Sequence, residues 1–238
     1  MLFAALQEFP PTCIHNRPAR GLDSWSICGR MRASQRGTFI VVEQAKPAPP
    51  SRVRKLIHLS LALVPALGWW VSYPLALGLA GAAMIASLVV ELARRNGDWV
   101  NRLLWRLLPT TFRAWEHRRT LGSTWFSVGM LGALLLYGRD VGGTAVLFLA
   151  WGDAAAEIVG RRWGRATEGK TLAGSLGCLA ACLLAGVAGV SLGGLAPISV
   201  LIGALVATLL ERWSPPPNDN LWIPLLSGLV MEAIQRLL

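Results

Sequence analysis

Seven apolar runs, several approaching the roughly 20 residues that an α-helix needs to cross a bilayer, constrain this chain more than any other feature. They cover residues 56–71, 74–93, 123–138, 141–159, 172–190, 195–210 and 221–238. In hydrocarbon every backbone N–H and C=O must be satisfied internally, so runs of this kind fold as helices. The expected fold class is therefore all-α: a polytopic membrane helix bundle of about seven transmembrane helices. Composition agrees, with 53% hydrophobic residues, 15% charged residues and a mean hydropathy of +0.47. The last run is the weakest span. Pro224 is tolerated in its first turn, but Glu232 and Arg236 sit near its far end.

The net charge of +10 has a specific distribution. Alternating loops put three bases in residues 52–55, seven in 94–122, four in 160–170 and Arg212 on one side. The other side receives Arg139 and Arg236. Positive cytoplasmic loops account for this bias without a nucleic-acid partner. An integral, multi-pass protein with a cytoplasmic N-terminus follows. The same side carries His58, Glu91, Glu116, Asp153, Lys170, Glu211 and Asp219. No charge rule requires acids to gather there, so their co-location points to one cytoplasm-facing active site.

Residues 1–50 are polar and proline-interrupted and read as disordered, either a targeting peptide, since arginines outnumber acids, or a misassigned start with Met31 as a candidate first residue. Residues 51–238 then form the membrane domain. Between the second and third runs, Trp99, Val100, Leu103, Leu104, Leu107 and Leu108 line one helical face beside Arg102 and Arg106. That pattern predicts an interfacial amphipathic helix in the headgroup layer. The four cysteines, Cys13, Cys28, Cys178 and Cys182, lack CxxC spacing and predict neither a disulfide framework nor a zinc site.

The densest chemistry lies in residues 151–175. Asp153, Ala156, Glu157, Gly160 and Gly164 recur at spacings of three and four, which places them on one helix face. A carboxylate in an apolar membrane helix is costly and usually has a functional partner or a wet cavity. Small residues let a backbone or a phosphate approach; helix packing of the small-xxx-small kind explains the glycines equally well, but not Asp153. Arg161, Arg162, Arg165 and Lys170 surround this face, and Lys170-Thr171 opens the next helix, where free N–H groups and the helix dipole favour anions. Gly164-Arg-Ala-Thr-Glu-Gly-Lys-Thr171 matches the P-loop pattern by letter. A P-loop needs a strand before it; here a membrane helix precedes it, so only a local phosphate role for Gly169, Lys170 and Thr171 survives. Pro-Pro-Pro-Asn218-Asp219-Asn220 reads either as a turn that caps the last helix or as a second set of ligands for a metal–nucleotide complex.

These pieces together resemble the membrane lipid-kinase family that contains dolichol kinase, phytol and farnesol kinases and CTP-dependent diacylglycerol kinase. The resemblance rests on Arg54-Lys55-x-x-His58, Glu91 and Arg119-Thr-x-Gly122-x-Thr124. It continues through Gly152-Asp153-x-x-Ala156-x-x-x-Gly160-Arg-x-x-Gly164 and Lys170-Thr171-x-x-Gly174-Ser175. It ends at Glu211 and Asp219-Asn220-x-x-x-Pro224, in family order over residues 52–238. Ala173 departs from the family, which often has an acid there. The resemblance implies transfer of the γ-phosphoryl group of CTP or ATP to a lipid alcohol, with Mg²⁺ bridging phosphates. It implies Asp153 and Asp219 on the metal. Lys170, Arg161 and the amides near Gly169 would hold phosphates, with Gly160, Gly164, Thr171 and Asn220 completing the nucleotide site. Glu211 or Glu116 would orient the lipid hydroxyl or act as base.

Two other classes compete. Phosphatidate cytidylyltransferases share the acid–glycine and Lys-Thr elements, but their Ser-Pro before the lysine and their C-terminal Lys-Asp…Pro-Gly-His-Gly-Gly stretch are absent here. A transporter would carry its polar groups at mid-membrane and show internal repeats; the Asp153 stretch is not repeated.

Overall fold

Apolar runs with internally bonded backbones leave helices as the regular elements, and among the described residues of the larger unit there are no others. A computed structural model describes residues 12–15, 26–33, 39–42, 59–61, 63–107, 119–164 and 170–238. The chain divides into two units, Met1–Pro49 and Pro50–Leu238. In the first, β1 (Thr12–His15), β2 (Ser26–Ala33) and β3 (Phe39–Val42) form an antiparallel meander. Thr12 lies opposite Gly29, and Arg30 opposite Val42. The expectation of a disordered or misassigned N-terminal segment falls mostly outside the described residues.

The second unit contains α1 (Leu63–Trp70), α2 (Tyr73–Asn96), α3 (Asp98–Leu107), α4 (Gly122–Tyr137), α5 (Gly143–Trp163), α6 (Leu172–Gly193), α7 (Pro197–Trp213) and α8 (Asp219–Leu237). Local chemistry sets several boundaries. Thr171 and Asn218 cap α6 and α8 with side-chain oxygens, satisfying N–H groups left open by the first turn. Pro197 opens α7, where the missing N–H costs nothing. Gly194, at φ +65°, ends α6 in a left-handed conformation.

α5 is the central rod. Every residue from 141 to 150 is buried, and α5 contacts α1, α4, α6, α7 and α8. A helix that is apolar all round belongs inside a bundle. Long-range contacts fix the helix directions. The Tyr73 hydroxyl donates to the Leu134 carbonyl while Glu91 accepts from the Leu121 N–H, so α2 and α4 are antiparallel. Asn220 Nδ2 donates to the Gly122 carbonyl and the Tyr137 hydroxyl to the Leu225 carbonyl, so α4 and α8 run parallel. α5 and α6 are antiparallel, as a Cβ at Gly160 would lie 3.4 Å from Gly174 Cα and one at Gly193 would lie 2.9 Å from Asp140 Cβ. The Ala196 N–H donates to Gln235 and Ser214 to Asp219, so α7 and α8 are antiparallel too. One end of the bundle therefore collects the last turns of α2, α5 and α7 and the first turns of α4, α6 and α8.

Three described helical stretches are long and apolar enough to cross a membrane: Tyr73–Asn96, Gly122–Trp163 and Leu172–Gly193. This is fewer than the seven runs predict. α7 has only 17 residues, α8 carries Asp219, Glu232 and Arg236, and α1 has eight described residues. The 42-residue stretch Gly122–Trp163 joins two of the predicted runs through a π-helical turn, Gly138–Gly142, in place of the expected loop. Gly138 has φ +72° and ψ −167°, a region open almost only to glycine. The chain folds back there, and Gly142 meets the Ala133 carbonyl. Asp140 fastens this turn by accepting from Trp69 Nε1 at 2.8 Å and from Arg139 Nε at 3.0 Å.

Candidate active site

The approach of α5 to α6 begins with small side chains. A Cβ at Gly160 would lie 3.0 Å from Thr171 Oγ1, and one at Gly174 would lie 2.8 Å from the Ala156 carbonyl oxygen. A Cβ at Gly164 would lie 2.6 Å from both Thr171 Oγ1 and Cγ2. Thr171 uses the same oxygen to cap α6, accepting from the Gly174 N–H at 3.0 Å. Lower on the pair, Gly152 faces the buried, free thiols of Cys178 and Cys182. The glycine face of α5 thus seats the start of α6 and aims Lys170, one residue before the cap, across the end of the bundle.

Lys170 is the centre of the site. Its Nζ lies 2.8 Å from Glu211 Oε1 on α7 and 3.0 Å from Asp219 Oδ2 on α8, and it also bonds the Glu211 carbonyl. Burial would lower its pKa, but the Asp219 and Glu211 carboxylates outweigh this and the net direction is upward. The ammonium is therefore kept charged at neutral pH. Ser214 tightens the same corner, its single hydroxyl proton lying within reach of Asp219 Oδ2 at 2.7 Å and of the Glu211 carbonyl at 3.1 Å. Glu211 is 4% exposed, and its Oε2 has no hydrogen-bond partner among the described residues. Both Asp153 and Asp219 act on Glu211 as neighbouring negative charges. Glu211 in the last turn of α7, Asp219 in the first turn of α8 and Lys170 just ahead of α6 meet at this end, while Asp153 stands about halfway along α5.

A second polar cluster borders it. Glu91, 4% exposed at the end of α2, accepts from Arg94 Nε and Nη2 at 2.9 and 2.8 Å, from Arg95 Nε at 2.6 Å and from the Leu121 N–H at 3.2 Å. The next residue, Gly122, accepts from Asn220 Nδ2 at 2.9 Å.

The chain is 29% identical over 201 residues to phytol kinase of Synechocystis, covering 78% of this chain and 80% of that protein. It is 26% identical over 184 residues to CTP-dependent diacylglycerol kinase 1 of Saccharomyces cerevisiae, covering 64% of this chain and 61% of that protein. It is 27% identical over 203 residues to the Schizosaccharomyces pombe protein of the same name, covering 76% and 92%. The chain is a homologue of these lipid kinases. The ordered motifs resemble the same group. The homologue spans about three fifths of the S. cerevisiae relative. No protein-family model and no solved structure matches it.

In this lipid-kinase homologue the predicted residues Lys170, Thr171, Glu211, Asp219 and Asn220 come to one end of the bundle, with Asp153 about halfway along α5. Arg161 is at that end too, paired with Glu157 at 3.0 Å. Gly160 and Gly164 lie against Thr171, a packing role that also brings the phosphate-binding candidates together. Glu116, Gly169, His58, Arg54 and Lys55 lie outside the described residues. Sequence reasoning missed Ser214, whose only local signal was its position between Glu211 and Asp219. It also missed Arg212, which donates to Ser175 at 3.3 Å. Among the described residues no group of three or more His, Cys, Asp or Glu side chains forms a ready metal cage. Mg²⁺ does not need one, since it binds through one or two carboxylates plus substrate phosphates. Asp219, beside Lys170, and the half-buried Asp153 of α5 are the carboxylates available for that role.

Proposed function

We propose that the chain transfers the γ-phosphoryl group of CTP or ATP to the hydroxyl of a lipid alcohol such as a polyprenol, dolichol, phytol or diacylglycerol. The observation that carries this reading is the Lys170 cluster, one cation held between two carboxylates from different helices. Phosphoryl transfer asks for cations at the phosphates, acids to hold a divalent metal and a group to orient the attacking hydroxyl. Lys170 exchanges its carboxylate partners for the phosphates, helped by Arg161, Thr171, Asn220 and the backbone near Gly169. Asp153 and Asp219 would hold Mg²⁺, which would supply neutralisation of phosphate charge. Glu211 Oε2 receives the hydroxyl proton in preference to Glu116, because it is buried and lacks a partner. The lipid oxygen bonds to the γ-phosphorus, the bond from that phosphorus to the β–γ bridging oxygen breaks, and the nucleoside diphosphate leaves.

Residues 51–238 form the catalytic unit in this reading, and residues 1–50 stand outside it. The chain crosses the membrane several times with the Lys170 end cytoplasmic. Arg95, Arg102, Arg106, Arg119, Arg161, Arg162 and Arg212 support this orientation, being at or next to the helix ends that collect there.

The test supplies purified protein with CTP labelled at the γ or the α phosphate, a panel of lipid alcohols, and phosphatidic acid. Label from the γ position on an alcohol is expected. Label from the α position on phosphatidic acid would replace the kinase reading with a cytidylyltransferase.

A further inference from the structure

We infer that Glu91 is a positioning residue for the phosphoryl-transfer site, acting through the backbone at residues 119–122 and through Asn220. The inference rests on the kinase reading above for its activity readout, but its structural readout does not. Glu91 and Arg94 are 4% and 5% exposed. A buried ion pair seldom stabilises a fold over apolar residues of the same volume, so its presence points to a geometric requirement. The geometry shows which one. Glu91 accepts the Leu121 N–H at 3.2 Å, Arg94 Nη2 bonds the Arg119 carbonyl, and Arg95 Nη2 donates to Thr120 Oγ1 at 2.7 Å. Three consecutive residues ahead of α4 are thereby held to the end of α2.

The hold passes on to α8. Gly122 opens α4 and its carbonyl accepts Asn220 Nδ2 at 2.9 Å. Asn220 is 2% exposed. A Cβ at Gly129 would lie 2.6 Å from the Asn220 carbonyl oxygen, so α8 sits against α4 with no slack. Asp219, the preceding residue, accepts the Asn220 N–H at 3.1 Å through Oδ1 and faces Lys170 and Ser214 through Oδ2. An unbroken series of bonds thus runs from the α2 carboxylate to Lys170, just ahead of α6. Glu91 touches no proposed substrate atom; it fixes where Asp219 stands.

Glu91→Gln keeps the shape and removes the charge. In full-length protein in nanodiscs, hydrogen exchange should quicken in peptides covering 119–125 and also in those covering 214–222, with 134–144 unchanged. Mg²⁺-dependent turnover should show a half-saturating Mg²⁺ concentration and a nucleotide KM each raised about tenfold, with the lipid KM unmoved. Loss of fold alone would reduce the amount of active enzyme and leave these constants where they were. Trp69→Phe, which loses the Asp140 bond at the opposite end of the bundle, should change neither constant. Quickened exchange confined to 119–125, or unaltered constants in an active variant, would overturn the inference. If Glu91→Gln fails to insert, Thr120→Val, which removes the Arg95 contact alone, must show the same two-peptide exchange change in weaker form; exchange like wild type would overturn it. Inactive wild-type protein with the two-peptide effect intact would sink the kinase reading and leave the coupling standing.

Discussion

Asp153 stands on the central rod just past a stretch that is buried from residue 141 to residue 150. A carboxylate so placed costs several kcal/mol unless it meets water, a cation or a ligand. Its negative charge acts on Glu211 of the Lys170 cluster. Asp153→Asn keeps the size and removes the charge, and should abolish lipid phosphorylation while the protein still inserts and is extracted in wild-type amount. Retained turnover would remove the metal role from Asp153. Lys170→Ala should raise the nucleotide KM by about tenfold or more, the scale of a lost charge-assisted contact. A change confined to the lipid KM would show that Lys170 serves the acceptor instead.

Among elements, the α5–α6 pair bears most directly on the site, and small residues make it. Gly174→Ala brings a Cβ to 2.8 Å from the Ala156 carbonyl oxygen, a backbone atom that cannot swing aside. Overpacking of this kind costs about 1–3 kcal/mol. The variant should unfold at a lower temperature in detergent and lose turnover, because Thr171 and Lys170 move with the start of α6. Unchanged melting would show that the two helices separate easily. At this scale much was legible in the sequence. Thr171, Pro197 and Asn218 stand where a helix start needs them, and the spacing of Asp153, Ala156, Glu157 and Gly160 announced a special face. A break between the third and fourth runs was legible, but the π-helical form of the turn at Gly138–Gly142 was not. It depends on Asp140 meeting Trp69, 71 residues earlier, and no local pattern encodes a contact at that separation. The same reason hid the role of Ser214 and the bridge of Lys170 to partners 41 and 49 residues away.

At the scale of the molecule, alternating helix directions bring polar ends from separate parts of the chain to one place. The sequence assigned these loops to one side, and in the structure contacts among α2, α4, α6, α7 and α8 bring the helix ends together. The count of membrane crossings was the weaker expectation. Length and apolarity license three stretches, whereas helix direction permits more, since α7 and α8 follow the same alternation. The gathered end is proposed to form a single nucleotide site on one face of a membrane. Single cysteines in place of Leu172, Trp213 and Arg95, in a background with Cys13 and Cys28 changed to serine, test it in sealed vesicles. All three positions are exposed at that end, and Cys178 and Cys182 are buried. An impermeant thiol reagent should modify all three from the same side, and Mg²⁺ with CTP should slow the modification. Labelling from opposite sides, or labelling indifferent to nucleotide at every position, would contradict the account.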